Sequence, residues 1–173
     1  MRYVRIGLLI AFGVGILTLP NAIQLRAADS DQQEKDRQEI EALMWRYARA
    51  LDTYDVEAYV ANYTPDGQFI AGPNPTAGAD ALRKMMVGLK TGHDERAKTD
   101  PQPPMYHMEM NTYIELLSKD RARHHSYWQT VFGAVGRGGQ VRVAAAGNAV
   151  EDLVKVNGKW LIKIRNVSPG NSD

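Results

Sequence analysis

The sequence predicts an α+β fold in which three N-terminal helices lie on one strongly curved, mainly antiparallel sheet. Three observations carry this. Apolar residues recur at helical spacing up to residue 89 and at strand spacing from residue 105 onward. The strand-like segments of the last third are long and only a few residues apart, which leaves room for hairpins but not for crossovers. The links between them are turn sequences, SKDR, GRGG and Asn157-Gly158, the last being the strongest hairpin signal in the chain.

Each element has its own signature. Ile40, Leu43, Met44, Tyr47 and Leu51 form the apolar stripe of a first helix. Val56, Tyr59, Val60 and Tyr63 do the same for a short second one. Asp55 stands immediately before it, with Glu57 in the first turn, and reads as its N-cap. TPDG reads as a turn, QFIAG as a short strand and PNPTAG as a loop. ADALRKMMVGL is a third helix with Leu82, Met85, Met86 and Leu89 on one side, and KTGHDERAKTDPQPP is a polar loop that could cover a site. Four strands follow: MYHMEMNTYIELL, RARHHSYWQTVFGAV, QVRVAAAGNAVEDLVKV and KWLIKIRNV. SPGNSD, residues 168–173, is a tail expected to be disordered.

A chain of 173 residues suits one domain, expected over residues 39–167. Before it, MRYVR and the 14-residue apolar run IGLLIAFGVGILTL have the layout of a signal peptide over residues 1–28, followed by a polar linker over 29–38. The run is shorter than the ~20 residues that span a bilayer. Export to the periplasm or medium is the expectation, and membrane attachment only through an uncleaved leader. Without the three arginines of that leader, 18 basic residues face 20 acidic ones, so no basic face argues for nucleic acid. There is no cysteine, hence no disulfide and no thiol nucleophile. His107, His124 and Asp52 lack the spacing of a metal motif, and GRGG lies between strands rather than before a helix. Neither a metal nor another cofactor is expected.

Several residues remain as site candidates. Asp52 closes the first helix, where a carboxylate meets the negative end of the helix dipole. It is either a solvated partner of Arg49 or a buried acid or base. His107 alternates with Glu109 and Asn111 on one strand face, which either meets solvent or lines a polar pocket. Histidine titrates near neutrality and can move a proton. Asn111 could orient it or bind a substrate oxygen. His124 shares a mixed face with Ala122, Ser126, Trp128, Thr130 and Phe132, so His124 and Trp128 are core or cavity wall, while His125 points the other way. Tyr47 belongs to the apolar stripe, yet its hydroxyl could donate to a substrate oxygen.

The segments YARALDTYDVEAYVANYTPDGQF, YHMEMNTYIELL, RARHHSYWQTV and VEDLVKVNGKWLIKIRNV, in that order, resemble the SnoaL-like group of the nuclear transport factor two-like superfamily. That group includes scytalone dehydratase, bile-acid dehydratases, polyketide cyclases and ketosteroid isomerase. The resemblance implies a cone-shaped α+β barrel with a ligand cavity. It sets Asp52 on the dehydratases' pocket aspartate, His107 on their strand histidine, and Tyr47, five residues before Asp52, on the tyrosine of the bile-acid type. It turns the His124 side of its strand toward the cavity. Leu51, Ala71 and Phe132 stand where scytalone dehydratase has two tyrosines and a second histidine, so that substrate is not expected.

What the resemblance implies is a cofactor-free lyase (dehydratase) or isomerase that moves protons on a hydrophobic, oxygenated small molecule. Asp52, His107 and Tyr47 would be catalytic, and Asn111, His124 and Trp128 would bind substrate. The alternative is a non-catalytic, exported binding module of the same fold. A small subunit of a ring-hydroxylating dioxygenase shares the fold, but the leader argues against it. Tyr127, Val131 and Val143 offer apolar area for a homodimer or homotrimer.

Overall fold

The structure, a computed structural model, describes residues 21–169, the first eight of them by their backbone alone. The apolar run of the expected leader and the last four residues of the expected tail lie outside it. The elements are α1 (Asn21–Asp52), α2 (Val56–Val60), β1 (Tyr63–Ile70), β2 (Thr76–Ala77), α3 (Ala79–Ala97), β3 (Met105–Ser118), β4 (Arg121–Phe132), β5 (Arg142–Val156) and β6 (Lys159–Asn166). One six-stranded sheet runs β2-β1-β6-β5-β4-β3, antiparallel except for the β1–β6 pair. It is curved and unclosed, with β3 as a long free edge.

The α1 stripe lands as its spacing requires. Ile40, Leu43 and Tyr47 are buried against Trp160, Ile162 and Leu153 of the sheet, and Leu82 and Met86 of α3 close the same core. The expected linker over 29–38 is instead part of α1. Asp36 is buried there and accepts from Lys155, from Trp160 Nε1 at 3.2 Å and from Gln32 at 3.1 Å. Arg37 donates to the Ile114 carbonyl at 2.6 Å. Polarity misleads at this point because the polar side chains are themselves the contacts to the sheet. The expected loop after residue 89 also begins as helix, since α3 continues to Ala97 on Lys90–Asp94 and Lys98–Glu95 ion pairs.

TPDG is not a turn between elements. It is a bulge inside β1, where the five steps from Tyr63 to Gln68 oppose two on β6, from Ile162 to Ile164. Tyr63 accordingly belongs to β1 and not to the second helix. The Asn157-Gly158 hairpin is as expected, both residues taking positive φ, 50° and 79°. Val131, expected to add exposed apolar area, is buried, while Tyr127 and Val143 are exposed.

Two local devices position the site. The first is the end of α1. Asp55 N–H donates to the Ala50 carbonyl at 2.9 Å and Tyr54 N–H to the Leu51 carbonyl at 3.2 Å, with Tyr54 left-handed at φ 55°. This is a Schellman closure with tyrosine in place of the usual glycine. Asp55 then caps α2, its Oδ1 accepting from Ala58 N–H at 3.0 Å. The second is a bulge in β3 between Met110 and Tyr113, where Asn111 takes φ 52°. Because side chains alternate with period two, one extra residue transfers the inward face from His107 and Glu109 to Ile114 and Leu116. Asn111 thus does not continue the His107–Glu109 face: it sits in the bulge and is exposed.

Candidate active site

Asp52 is the last residue of α1, and its side chain is only 6% exposed. Its Oδ1 accepts from the backbone N–H of His107 at 2.8 Å and lies 2.8 Å from His107 Nδ1. Arg49 Nη1 stands 3.9 Å from Oδ2. These donors offset the unfavourable end of the α1 dipole. The two alternatives for Asp52 thus meet in one place, since the buried carboxylate has both Arg49 and the part-buried His107 as neighbours. A carboxylate only accepts, so Nδ1 is assigned the proton and Nε2 is left as an acceptor. Asp52 thus fixes the ring and leaves Nε2 as its acceptor.

His107 borders two cavities. One, of about 300 Å³, is walled by Tyr47, Tyr54, Phe69, Met85, Met105 and Phe132. The other, of about 810 Å³, lies between α1 and the free edge of β3, and Asp52, Glu109, His124, Met44, Trp45 and Met108 are among its walls. Both are mainly apolar with a few convergent polar groups, the usual character of a small-molecule site.

Tyr47 borders the smaller cavity and is 2% exposed. Burial pushes its phenol up, with the Arg165 charge opposing, so near neutral pH it is an O–H donor. The structure thus brings Asp52, His107 and Tyr47 to one region of α1 and β3. His124 lies deeper, 1% exposed, with Nδ1 2.6 Å from Glu151 Oε2. Trp128 and Asn111 are elsewhere. Trp128 lies opposite Glu109 across the β3–β4 pair, yet its indole covers Gly147 and donates to the carbonyls of Asn148 at 3.0 Å and Val167 at 3.2 Å, and Trp128 and Asn111 border a groove separate from both cavities.

The sequence reasoning missed a buried polar network behind the pair. Arg165 on β6 is 3% exposed, bonds Glu151, and lies 2.7 Å from Glu109 Oε1. Its guanidinium also stacks 4.3 Å over the Tyr47 ring. One cation thus serves two carboxylates. Burial pushes the Glu109 carboxyl above the usual carboxylate range, Arg165 and His124 oppose this, and Glu151 reinforces it. The signal was present in the alternation: Glu151 shares its face with Ala149 and Leu153, an acid where the pattern requires an apolar residue.

A SnoaL-like domain profile matches residues 32–166. The chain belongs to the SnoaL-like family. Rv3472 from Mycobacterium tuberculosis, a protein of unknown function, is similar in structure at a TM-score of 0.64 and 25% identity, over 80% of this chain and 73% of that one. A crystal structure from Novosphingobium aromaticivorans, provisionally assigned as a scytalone dehydratase, aligns at 0.63 and 22% identity, over 79% and 85%. An NTF2-like protein with a cystatin-like fold from the same organism reaches 0.69 at 18% identity, over 90% and 95%. No curated protein matches this SnoaL-like chain by sequence. The family fold is one that binds small hydrophobic ligands, and the two cavities supply the space for one.

Proposed function

We propose that this SnoaL-like protein is a cofactor-free lyase (dehydratase) or isomerase acting on a hydrophobic, oxygenated small molecule. The observation that supports it most is the 2.8 Å contact between buried Asp52 and His107 Nδ1 in the wall of a mainly apolar cavity. His107 Nε2 takes a proton from a carbon next to a carbonyl, Asp52 stabilises the imidazolium, and Tyr47 donates to an oxygen of a ligand that extends past His107 into the smaller cavity. Elimination or a double-bond shift follows from where that proton is returned. The test is turnover of a panel of ring-bearing hydroxy-ketones by Asp52→Asn and His107→Gln variants of unchanged fold. A loss of about 10²-fold or more is expected for each, and full turnover by Asp52→Asn refutes the reading.

One observation favours the alternative, a non-catalytic binding module: Asp52 Oδ1 also accepts the His107 backbone N–H and so ties α1 to the sheet edge. In that case Asp52→Asn lowers the melting temperature and changes no reaction. We further propose export through the N-terminal leader, tested by fractionating cells that express the full chain. Self-association through apolar area of the sheet, where Tyr127 and Val143 are exposed, is proposed too. Sedimentation of the mature chain tests it, and a monomer at all concentrations overturns it.

A further inference from the structure

Glu109 has no part in the Asp52–His107 dyad, yet it sits two residues along the same strand face and borders the same 810 Å³ cavity. Its side chain is 10% exposed, and neither carboxylate oxygen receives a directed hydrogen bond, although Arg165 Nη2 is 2.7 Å from Oε1. Such an orphan is rare, because a buried charge without its full set of donors is costly. The groups around it are Arg165 on β6, Glu151 on β5, His124 on β4, His107 on its own strand, and Tyr47 and Asp52 on α1, with Glu41 and Arg49 farther along the cavity. Arg165 is the one cation among the inner groups, and Glu151 already holds it. His124 is also turned to Glu151. A single proton on Glu109 leaves Arg165 and Glu151 as a balanced pair and turns an orphan acceptor into a donor.

We propose that Glu109 stands as the neutral acid and donates its proton to a carbonyl or hydroxyl oxygen of the ligand, so that the site selects neutral oxygenated molecules over carboxylates. This rests on reading the larger cavity as the substrate site. Both oxygens are now shielded on the Arg165 side, but the terminal torsion of a glutamate is soft, and the carboxyl can turn into the cavity it borders. In an elimination, His107 Nε2 takes the proton on carbon and that bond pair becomes the new C=C. The C–O pair leaves with oxygen, the Glu109 proton goes to it, and water departs. The Glu109 carboxylate left behind turns back to Arg165, and the proton on His107 returns to Glu109 through solvent.

The experiment is infrared difference spectroscopy of wild type against Glu109→Gln near neutral pH, with 2-acetylnaphthalene and 2-naphthoate as neutral and charged probes of one shape. Binding is read from the fluorescence of Trp45. We expect a protonated-carboxyl C=O band that Glu109→Gln removes and that moves to lower frequency with the ketone. The ketone binds about tenfold or more tightly than the naphthoate, and Glu109→Leu reduces this to about threefold or less. No such band, a band unmoved by saturating ketone, or a ketone that binds no better than the naphthoate overturns the inference. An ionised Glu109 beside an Asp52→Asn variant without turnover overturns this inference alone. A protonated, ketone-bound Glu109 beside an Asp52→Asn variant with full turnover overturns the lyase reading alone.

Discussion

Arg165→Met isolates the energetics of the buried network. The substitution keeps an unbranched apolar stem over the Tyr47 ring but removes the cation shared by Glu109 and Glu151. Breaking a buried ion pair from one side costs about 3–5 kcal/mol. The carboxyls set a ceiling, because a stranded one can take a proton. At pH 7, protonating a glutamate of ordinary pKa near 4.3 costs about 3.7 kcal/mol, and at pH 5 only about 1 kcal/mol. Burial raises the Glu109 carboxyl and Arg165 opposes this, so without Arg165 the folded-state value rises further, the unfolded chain binds fewer protons, and stability falls as pH rises from about 4.3 through the raised value. Urea unfolding at about pH 7 should therefore give a loss of about 3–5 kcal/mol, or roughly 6–20 °C in melting temperature for a domain of this size. At about pH 5 the loss should shrink to roughly 1–2 kcal/mol. Adding Glu151→Gln should recover part of it, since Glu151 is then no longer a buried charge without its cation. A loss below about 1 kcal/mol at neutral pH, or one that is the same at both pH values, refutes the reasoning.

Three further outcomes are expected. Asp36→Asn should cost about 1.5–3 kcal/mol in urea unfolding, the worth of hydrogen bonds to a charged group. Burial opposes the Asp36 charge, but hydrogen bonds from Lys155, Trp160 and Gln32 outweigh it and hold its carboxyl below the usual range. That contribution is present above about pH 4 and is lost as pH falls through the depressed value, so wild type and variant should converge in acid. Asp55→Ala removes the α2 cap and should cost about 0.5–2 kcal/mol, read from thermal unfolding. Gly147→Ala sets a Cβ 2.9 Å from the Trp128 ring and should cost about 1–3 kcal/mol, with a change in the tryptophan near-ultraviolet circular dichroism that an ordinary strand alanine would not produce.

Periodicity made the architecture legible, since local patterns and turn chemistry agreed with the tertiary fold. The α1 stripe, the Asp55 cap and the Asn157-Gly158 hairpin are each decided within a few residues, and each was readable. The resemblance put Asp52 and His107 in one site, but their contact joins residues 55 apart and needed the fold to appear. The errors are also local in origin. Asn111 was assigned the His107 face because strict alternation was carried through a bulge. Residues 29–38 were read as a linker because polarity was taken for exposure, whereas Asp36 and Arg37 bond to the sheet. Glu151 was legible as an acid on an apolar strand face, but its pairing with Arg165 was not, because that needs the register of β5 and β6.

The junction at Thr53–Asp55 sets how far this chain can vary. Thr53, Tyr54 and Asp55 each donate a backbone hydrogen bond into the last turns of α1, while Asp55 starts the next helix with its side chain. An inserted residue there would have no free bond to take, and it would rotate α2 against the carboxylate that meets His107. The link between β4 and β5 carries no such double duty: it is exposed and rich in glycine. Relatives of this protein should therefore differ in length at the tip of the β4–β5 hairpin, whose ends Gly133 and Val141 border the larger cavity, and keep the short α1–α2 connection at a fixed count, as should any library built to change the ligand.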